Sequence, residues 1–344
     1  MTDFLFNYGL FLAKTITLSA AAVAVIAGFF SLVREARDHG HERLEIKNIN
    51  DRFELMADTL NSELMPENEL KQLHKKRKAD EKAKQKAAKH GQQTPRSRIF
   101  ALEFDGDLQA TAVDSLREEI SAVLQVARKD DEILLKLESE GGLVHAYGLA
   151  ASQLTRIRDR KIKLTVAVDK VAASGGYLMA CVADRILAAP FAILGSIGVV
   201  AQLPNFHRLL KKNNVDFELH TAGAYKRTLT LFGENTDQGR EKFQEELEET
   251  HVLFKAFVTE NRPALDIEKV ATGEHWFGTR ALALRLIDEL KTSDDYLLDR
   301  SRDADIYEVK YRRRQSLSDR LSHGLVKMGL GMREGLSKAW TRSV

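Results

Sequence analysis

From Ile99 onward the sequence alternates short apolar runs with longer segments of helical periodicity. This order is compatible with few folds. The apolar runs occupy residues 99–104, 132–137, 163–168 and 216–220. Each has the length of a strand and is rich in aliphatic or aromatic side chains. Strands that alternate with helices predict βαβ units and a mostly parallel sheet. We therefore expect an α/β domain over residues 99–300.

Helical periodicity fills the intervals between these runs. One face of the segment 111–128 carries Leu116, Ile120, Val123 and Leu124. This spacing is typical of an amphipathic helix that packs on a sheet. Further helices are predicted at 145–158, 237–262 and 278–288.

Composition places the chain among globular proteins, with 44% hydrophobic and 30% charged residues. Lysine and arginine number 52, and aspartate and glutamate number 50. The net charge of +2 therefore provides no field that would attract nucleic acid, and we predict no nucleic-acid partner. The single cysteine, Cys181, excludes an internal disulfide framework and a cysteine-based zinc cluster.

Residues 15–33 carry no charge. A helix of this length reaches about 28 Å, close to the thickness of the bilayer hydrocarbon. We therefore predict that residues 1–33 form a single-pass membrane anchor. A cleaved signal peptide and a buried core helix are the alternatives. A signal peptide usually begins with basic residues, whereas this chain has Asp3 and no lysine or arginine before Lys14.

Two charged segments lie on either side of the predicted domain. Residues 34–98 mix charges of both signs and are predicted to form a charged helical spacer. Within them, residues 71–90 are strongly basic, and contact with anionic lipid headgroups is an alternative role for that stretch. Residues 301–344 are predicted to form a basic amphipathic C-terminal segment that suits a membrane surface or a neighbouring subunit.

Glycine pairs follow two of the predicted strands. Gly141 and Gly142 come soon after the run 132–137, and Gly175 and Gly176 follow Ser174 at a strand-to-helix junction. Bare N–H groups at such a junction favour a negative oxygen formed beside the serine hydroxyl. The alternative for Ser174 is an ordinary helix N-cap.

A nucleophilic serine needs a base, and the residues alone leave its identity open. The histidines in this half of the chain are His145, His220, His251 and His275. Lys226 is the other candidate, and it lies close to the apolar residues Leu229 and Phe232. A lysine acts as a base only when it is neutral, which apolar surroundings favour.

Long blocks of the sequence resemble the signal peptide peptidase A family of membrane-bound serine peptidases. The blocks are Ser-x-Gly-Gly at 139–142 and the segments 169–186, 189–200, 220–240 and 270–290. The resemblance extends from Ile99 to about Leu290. It implies a Clp/crotonase-type fold, a spiral of ββα units, preceded here by the transmembrane helix and the charged helical spacer.

The resemblance also implies roles for individual residues. Ser174 matches the family's nucleophile, and Lys226 matches the general base of its Ser-Lys dyad. Gly142 matches a glycine whose N–H helps to form the oxyanion hole, and the N–H of Gly175 is the second donor expected there. Ser196 matches a serine that orients the lysine. The family usually has proline where this chain has Glu140, and we expect that side chain to point outward.

The resemblance further implies a membrane-anchored endopeptidase with no metal or organic cofactor. Its expected substrates are membrane-associated or unfolded polypeptides, including signal-peptide remnants. Its expected partners are membrane lipid and further copies of the chain in a ring, so the dyad can form within or between subunits. The alternatives are a non-catalytic crotonase-fold membrane scaffold, an acyl-CoA enzyme of the same fold, and a Ser-His-Asp hydrolase.

The expected location is the bacterial inner membrane, where two arguments disagree about the side. Five lysines and arginines lie within 34–52, against Lys14 alone before the anchor. The positive-inside rule therefore predicts a cytoplasmic catalytic domain. The family resemblance implies a periplasmic one, and this is the location that we adopt as the prediction.

Overall fold

The computed structural model describes Lys14, residues 42–89 and residues 96–313. Its larger compact unit is Glu45–Lys310. In the smaller unit, which is formed by the two ends of the chain, the Tyr311 hydroxyl donates to the Glu42 carboxylate at 3.0 Å.

No helix within the described residues is long and apolar enough to cross a membrane. Apart from Lys14, the predicted anchor at residues 1–33 lies outside them.

A mixed, mostly parallel sheet forms the centre of the larger unit. Its strands are β1 (Arg43–Asn48), β2 (Ser97–Gly106), β3 (Glu132–Ser139), β4 (Lys163–Val168), β5 (Val171–Ala173), β6 (Arg185–Ala188), β7 (Ile193–Gly195), β8 (His275–Phe277), β9 (Glu289–Leu290) and β10 (Ala304–Arg312). The order across the sheet is β1-β10-β2-β3-β4-β6-β9. Strand β5 pairs with β3 and β7, and β7 pairs with β8 in the antiparallel sense.

Helices cover the sheet. They are α1 (Ile49–Leu64), α2 (Glu67–Lys89), α3 (Val113–Val126), α4 (Val144–Asp159), α5 (Gly175–Ala180), α6 (His207–Lys212), α7 (Asp237–Asn261), α8 (Ile267–Val270), α9 (Gly278–Ala283) and α10 (Ser293–Arg300). The larger apolar core includes buried residues of α3, α4 and α5. A smaller core includes Ile49 of α1 and Tyr296 and Leu297 of α10. The central strands are therefore buried on both faces, which explains their continuous apolar sequences.

The register of the parallel strands brings their carboxyl ends together. Gly106 of β2 pairs with Ser139 of β3, Ser139 pairs with Ala172 of β5, and Ala173 pairs with Gly195 of β7. The segments that leave these strands therefore emerge at one edge of the sheet.

The structure confirms most of the predicted elements. The strands at 99–104, 132–137 and 163–168 are present, and the predicted face of α3 is buried. Helices α4 and α7 match their predicted bounds within one residue, whereas α9 ends at Ala283 and not at residue 288.

Three predicted elements differ from the structure. Residues 216–220 are an exposed loop, because their alternating Phe217 and Leu219 have no strand to pair with. Residues 43–48, expected to be helical, form strand β1 with alternating Leu44 and Ile46. In the predicted C-terminal amphipathic segment, β10 instead alternates Ala304 and Ile306 into the core. In both strands the period-two pattern is obscured by flanking charges.

Candidate active site

Ser174 lies between the end of β5 and the start of α5, in a conformation that is rare for a serine. Its φ is 50° and its ψ is −117°. A positive φ outside glycine costs free energy and persists only where the surroundings enforce it. The Ser174 side chain makes no capping hydrogen bond, so the N-cap alternative is wrong and the half-buried hydroxyl is left for other chemistry.

Two glycine-containing segments meet at Ser174. Gly141 has a φ of 93°, and a Cβ atom added there would lie 2.7 Å from the backbone nitrogen of Gly175 and 2.8 Å from Ser174 Cβ. A Cβ added to Gly142 would overlap the carbonyl oxygen of Leu108, and one added to Gly175 would overlap the ring of Tyr147. Only glycine fits at these positions, because backbone and ring occupy the space of a side chain.

The N–H groups of Gly142 and Gly175 have no hydrogen-bond acceptor within the part of the chain that the structure describes. Buried or half-buried backbone donors are normally paired. Two such donors beside an uncapped serine hydroxyl are therefore suited to an oxygen that arrives with a ligand.

Ser174 opens into a cavity of about 400 Å³. Its wall is mostly apolar and is formed by the glycine segments, helices α4 and α7, and the residues after β7. The lining residues are Gly142, Val144, Tyr147, Gly148, Ala151, Ser152, Ser174, Gly175, Leu178, Gly198, Val199, Val200, Thr250, Leu253, Phe254 and Phe257. Three of the predicted site residues, Ser174, Gly142 and Gly175, are thus brought together here.

Lys226 does not line this cavity. It is an exposed residue in the segment 200–235, which we call the arm. A turn holds its backbone, because its N–H donates to the carbonyl of Gly223 at 3.2 Å. The arm exposes apolar side chains along its length, among them Val200, Leu203, Phe206, Leu209, Val215, Phe217, Leu219, Tyr225, Leu231 and Phe232.

Ser196 also lies outside the cavity lining, two residues before Gly198. Its φ is 51°, and its N–H donates to the carbonyl of Glu274 at 2.7 Å. Glu140 is exposed, as predicted, so its carboxylate does not oppose negative charge at the two free N–H groups.

None of the four candidate histidines lines the cavity. His145, His220 and His275 are exposed, and His251 is half-buried, with an Nε2 atom that has no hydrogen-bond partner in the described part of the chain. The described residues contain no group of three or more His, Cys, Asp or Glu side chains that could hold a metal ion. Burial raises the pKa of the Cys181 thiol, which keeps it protonated and unreactive.

The sequence did not identify the support behind the glycine segments. Ser139 and Tyr147 are both buried, and Ser139 Oγ lies 2.5 Å from the Tyr147 hydroxyl and 3.0 Å from the backbone nitrogen of Gly141. The Tyr147 hydroxyl donates to the carbonyl oxygen of Asp107 at 2.7 Å. The only signal for this arrangement was the presence of Ser139 in the Ser-x-Gly-Gly motif.

Comparisons with known proteins identify the family of this chain. The family described as "Peptidase family S49 N-terminal" matches residues 3–154, and "Peptidase family S49" matches residues 156–306. The "Probable protease SohB" of Haemophilus influenzae is 50% identical over 330 residues, 92% of each chain. That of Buchnera aphidicola from Schlechtendalia chinensis is 50% identical over 305 residues, 87% of this chain and all of the relative.

Among solved structures the similarity is weaker. The solved S97A mutant of "1510-N membrane-bound stomatin-specific protease" is 14% identical, with a TM-score of 0.40 over 60% of this chain and 85% of the other. The agreement of two family descriptions that together span most of the sequence, with relatives of 50% identity along nearly the full chain, shows that this chain belongs to peptidase family S49 and is a peptidase.

Proposed function

We propose that the chain is a membrane-anchored serine endopeptidase with Ser174 as nucleophile and Lys226 as general base. One observation carries the proposal: Ser174, whose hydroxyl makes no capping bond, lines one apolar cavity together with Gly142 and Gly175, whose N–H groups have no acceptor among the described residues. A nucleophile next to donors for an oxyanion is the arrangement that acyl transfer requires.

The proposed reaction has two stages, acylation of Ser174 and hydrolysis of the acyl ester. Neutral Lys226 accepts the proton of Ser174 Oγ, and the oxygen attacks the peptide carbonyl carbon. The N–H groups of Gly142 and Gly175 donate to the resulting oxyanion. The C–N bond then breaks, and the leaving amine takes the proton from Lys226. Lys226 next deprotonates a water molecule, which attacks the acyl carbon. The bond from that carbon to Ser174 Oγ then breaks, Lys226 returns the proton to Oγ, and the carboxylic acid is released.

Within one chain Lys226 does not line the Ser174 cavity, so we propose that a neighbouring subunit supplies it. The arm that carries it exposes apolar side chains that a folded monomer would normally bury. Docking of the arm on a second copy of the chain would cover them, and head-to-tail repetition of that contact closes a ring. In that assembly Ser196 would orient the lysine.

Mixing two inactive variants tests the shared site. Ser174→Ala supplies Lys226, and Lys226→Ala supplies Ser174. Random assembly of equal amounts should restore about a quarter of the wild-type activity. Half of the sites contain Ser174, and half of these receive Lys226 from the neighbouring subunit. Mixing Ser174→Ala with the double variant is the matched control and should stay inactive. No recovery in the first mixture would show that the dyad forms within one chain.

The substrates that we propose are membrane-associated or unfolded polypeptides with apolar side chains, including signal-peptide remnants. The apolar wall of the cavity supports this, since residues such as Leu178, Leu253 and Phe254 would bury an apolar substrate side chain. We further propose that the sheet and its helices belong to the Clp/crotonase type, as a spiral of ββα units. No cofactor takes part in the mechanism proposed here.

For the location we propose a single pass through the bacterial inner membrane by residues 15–33, with the catalytic domain in the periplasm. The uncharged sequence supports the anchor. Protease added to intact spheroplasts should digest the catalytic domain. Survival of the domain until the membrane is lysed would instead place it in the cytoplasm, as the distribution of lysine and arginine predicts.

A further inference from the structure

We propose that Ser139 and Tyr147 are positioning residues for the two oxyanion donors: a directed chain of hydrogen bonds holds Gly141 beside Gly142, and the Tyr147 ring packs against Gly175. The inference rests on the proposed function, because it concerns the donors Gly142 and Gly175. It extends that function to two side chains whose hydroxyl groups do not meet the substrate.

The direction of the chain follows from counting protons. The carbonyl oxygen of Asp107 can only accept, so the Tyr147 hydroxyl gives its single proton there, at 2.7 Å. The 2.5 Å contact between Tyr147 and Ser139 must then use the Ser139 proton. A lone pair of Ser139 Oγ accepts from the N–H of Gly141 at 3.0 Å.

The result is a chain of hydrogen bonds from Gly141 through Ser139 and Tyr147 to Asp107, in which each N–H or O–H group donates to one acceptor. Burial raises the pKa of Tyr147, which keeps its hydroxyl protonated and able to donate at neutral pH. Hydrogen bonds in such a chain polarise and strengthen one another where water is excluded.

The same groups hold both donors. The Tyr147 ring fills the space beside the Cα of Gly175, so it fixes how closely that backbone approaches. On the other side, the carbonyl of Leu108 lies against Gly142 and accepts from the N–H of Leu143 at 2.9 Å. Asp107 and Leu108 are adjacent, so one turn supports the Tyr147 hydroxyl and the Gly142 backbone together.

A second buried tyrosine offers a matched comparison. Tyr177 is as fully buried as Tyr147, and its hydroxyl donates to the carbonyl of Leu286 at 2.9 Å. It does not line the cavity, and its hydroxyl bonds to the Leu286 carbonyl and not to either glycine segment. Replacement of either tyrosine by phenylalanine removes one buried hydroxyl and leaves the ring, so the structural cost should be similar.

The experiment compares Tyr147→Phe with Tyr177→Phe in the full-length, detergent-solubilised protein. The readouts are kcat and KM on a fluorogenic peptide amide with leucine before the cleaved bond, together with Tm. We expect Tyr147→Phe to lower kcat about 10- to 100-fold with KM changed less than about 3-fold, within the effect of losing one oxyanion donor. Tyr177→Phe should keep its kcat and show a similar change in Tm.

A double-mutant cycle keeps the inference testable if one variant folds poorly. Ser139→Ala should lower kcat about as much as Tyr147→Phe does. The kcat of the double variant should be no more than about 3-fold below that of the slower single variant, because both residues belong to the same chain of hydrogen bonds. Equal kcat values for Tyr147→Phe and Tyr177→Phe, or additive losses in the cycle, would overturn the inference while an active wild type upholds the proposed function. A wild type that neither cleaves the peptide nor reacts with a fluorophosphonate would overturn both.

Discussion

The backbone N–H of Ser174 donates to the carbonyl oxygen of Gly195 at 2.8 Å, and both residues have positive φ angles, 50° and 97°. The end of strand β7 therefore holds the backbone of Ser174, the proposed nucleophile, through this hydrogen bond. The strained conformation of Ser174 depends on a residue that does not line the cavity.

Gly195→Ala should consequently reduce activity at a distance. Alanine is disfavoured at this φ, and its Cβ would lie 2.8 Å from the Trp276 ring. We expect kcat to fall at least about 10-fold, because small displacements of reacting atoms are costly. Gly148→Ala is the stability comparison: the added methyl would meet no atom within 4 Å apart from its chain neighbours and the backbone of its own helix, so the free energy of unfolding should rise by about 0.5–1 kcal/mol. A wild-type kcat in Gly195→Ala would show that activity does not depend on the backbone conformation of Gly195.

Ser174→Ala should abolish peptide cleavage and leave Tm and assembly unchanged. The loss of a nucleophile predicts a fall of at least about 10⁴-fold in kcat. Mass spectrometry should find a fluorophosphonate adduct on the peptide that contains Ser174 in the wild type and none in the variant. Ser62→Ala is the control, because it removes a hydroxyl that donates a hydrogen bond to the carbonyl of Thr59 on α1. This variant should form the fluorophosphonate adduct as the wild type does. Substantial turnover by pure Ser174→Ala would mean that another group attacks the substrate.

Lys226→Arg should be as inactive as Lys226→Ala. Arginine keeps the positive charge but does not lose its proton at accessible pH, so it cannot act as the base. The loss of a general base predicts a fall of at least about 100-fold in kcat. Lys129→Arg, at an exposed position after α3, is the matched control for the exchange itself. An active Lys226→Arg variant would return the base role to a histidine.

Asp131 should make the domain sensitive to acid. Burial opposes its ionisation, but hydrogen bonds from the Arg98 side chain and from the N–H groups of Arg128 and Arg98 outweigh this and lower the pKa of Asp131. A lowered pKa in the folded state contributes stability that is present above about pH 4 and lost as the pH falls through the folded value.

Asp131→Asn should therefore cost about 1–3 kcal/mol at pH 7, the usual effect of losing hydrogen bonds to a charged group. Thermal melts should show the difference in Tm from wild type shrinking below about pH 4. Asp130→Asn, at the exposed neighbouring position, should change Tm little at either pH. A difference that is constant with pH would exclude the proposed ionisation effect.

The sequence predicted the local parts of this architecture well. Ser174, Gly142 and Gly175 lie in short motifs next to strands, and the cavity brings these three together. The contact between Tyr147 and Asp107 joins residues 40 positions apart, and no periodicity reveals such a pair. Lys226 lies in the exposed arm, and local sequence patterns do not predict which surface such a segment contacts.

The strand predictions that were wrong also depended on contacts between residues far apart in the sequence. Phe217 and Leu219 alternate as strand residues do, but no neighbouring strand pairs with them. β10 carries a weaker pattern and is a full member of the sheet, because β2 pairs with it from Ala304 to Glu308. Pairing with a distant partner decides strand formation, and one sequence does not show which partner is available.

The place of β10 in the sheet has a consequence for biosynthesis. It lies between β1 and β2, although it is the last of the described strands to leave the ribosome. Until residues 304–308 emerge, β2 has an open edge, and β2 leads directly into the turn at Asp107 and Leu108 that supports the glycine segments. A nascent chain of this design therefore completes the sheet behind the Ser174 cavity only after residues 304–308 have been synthesised.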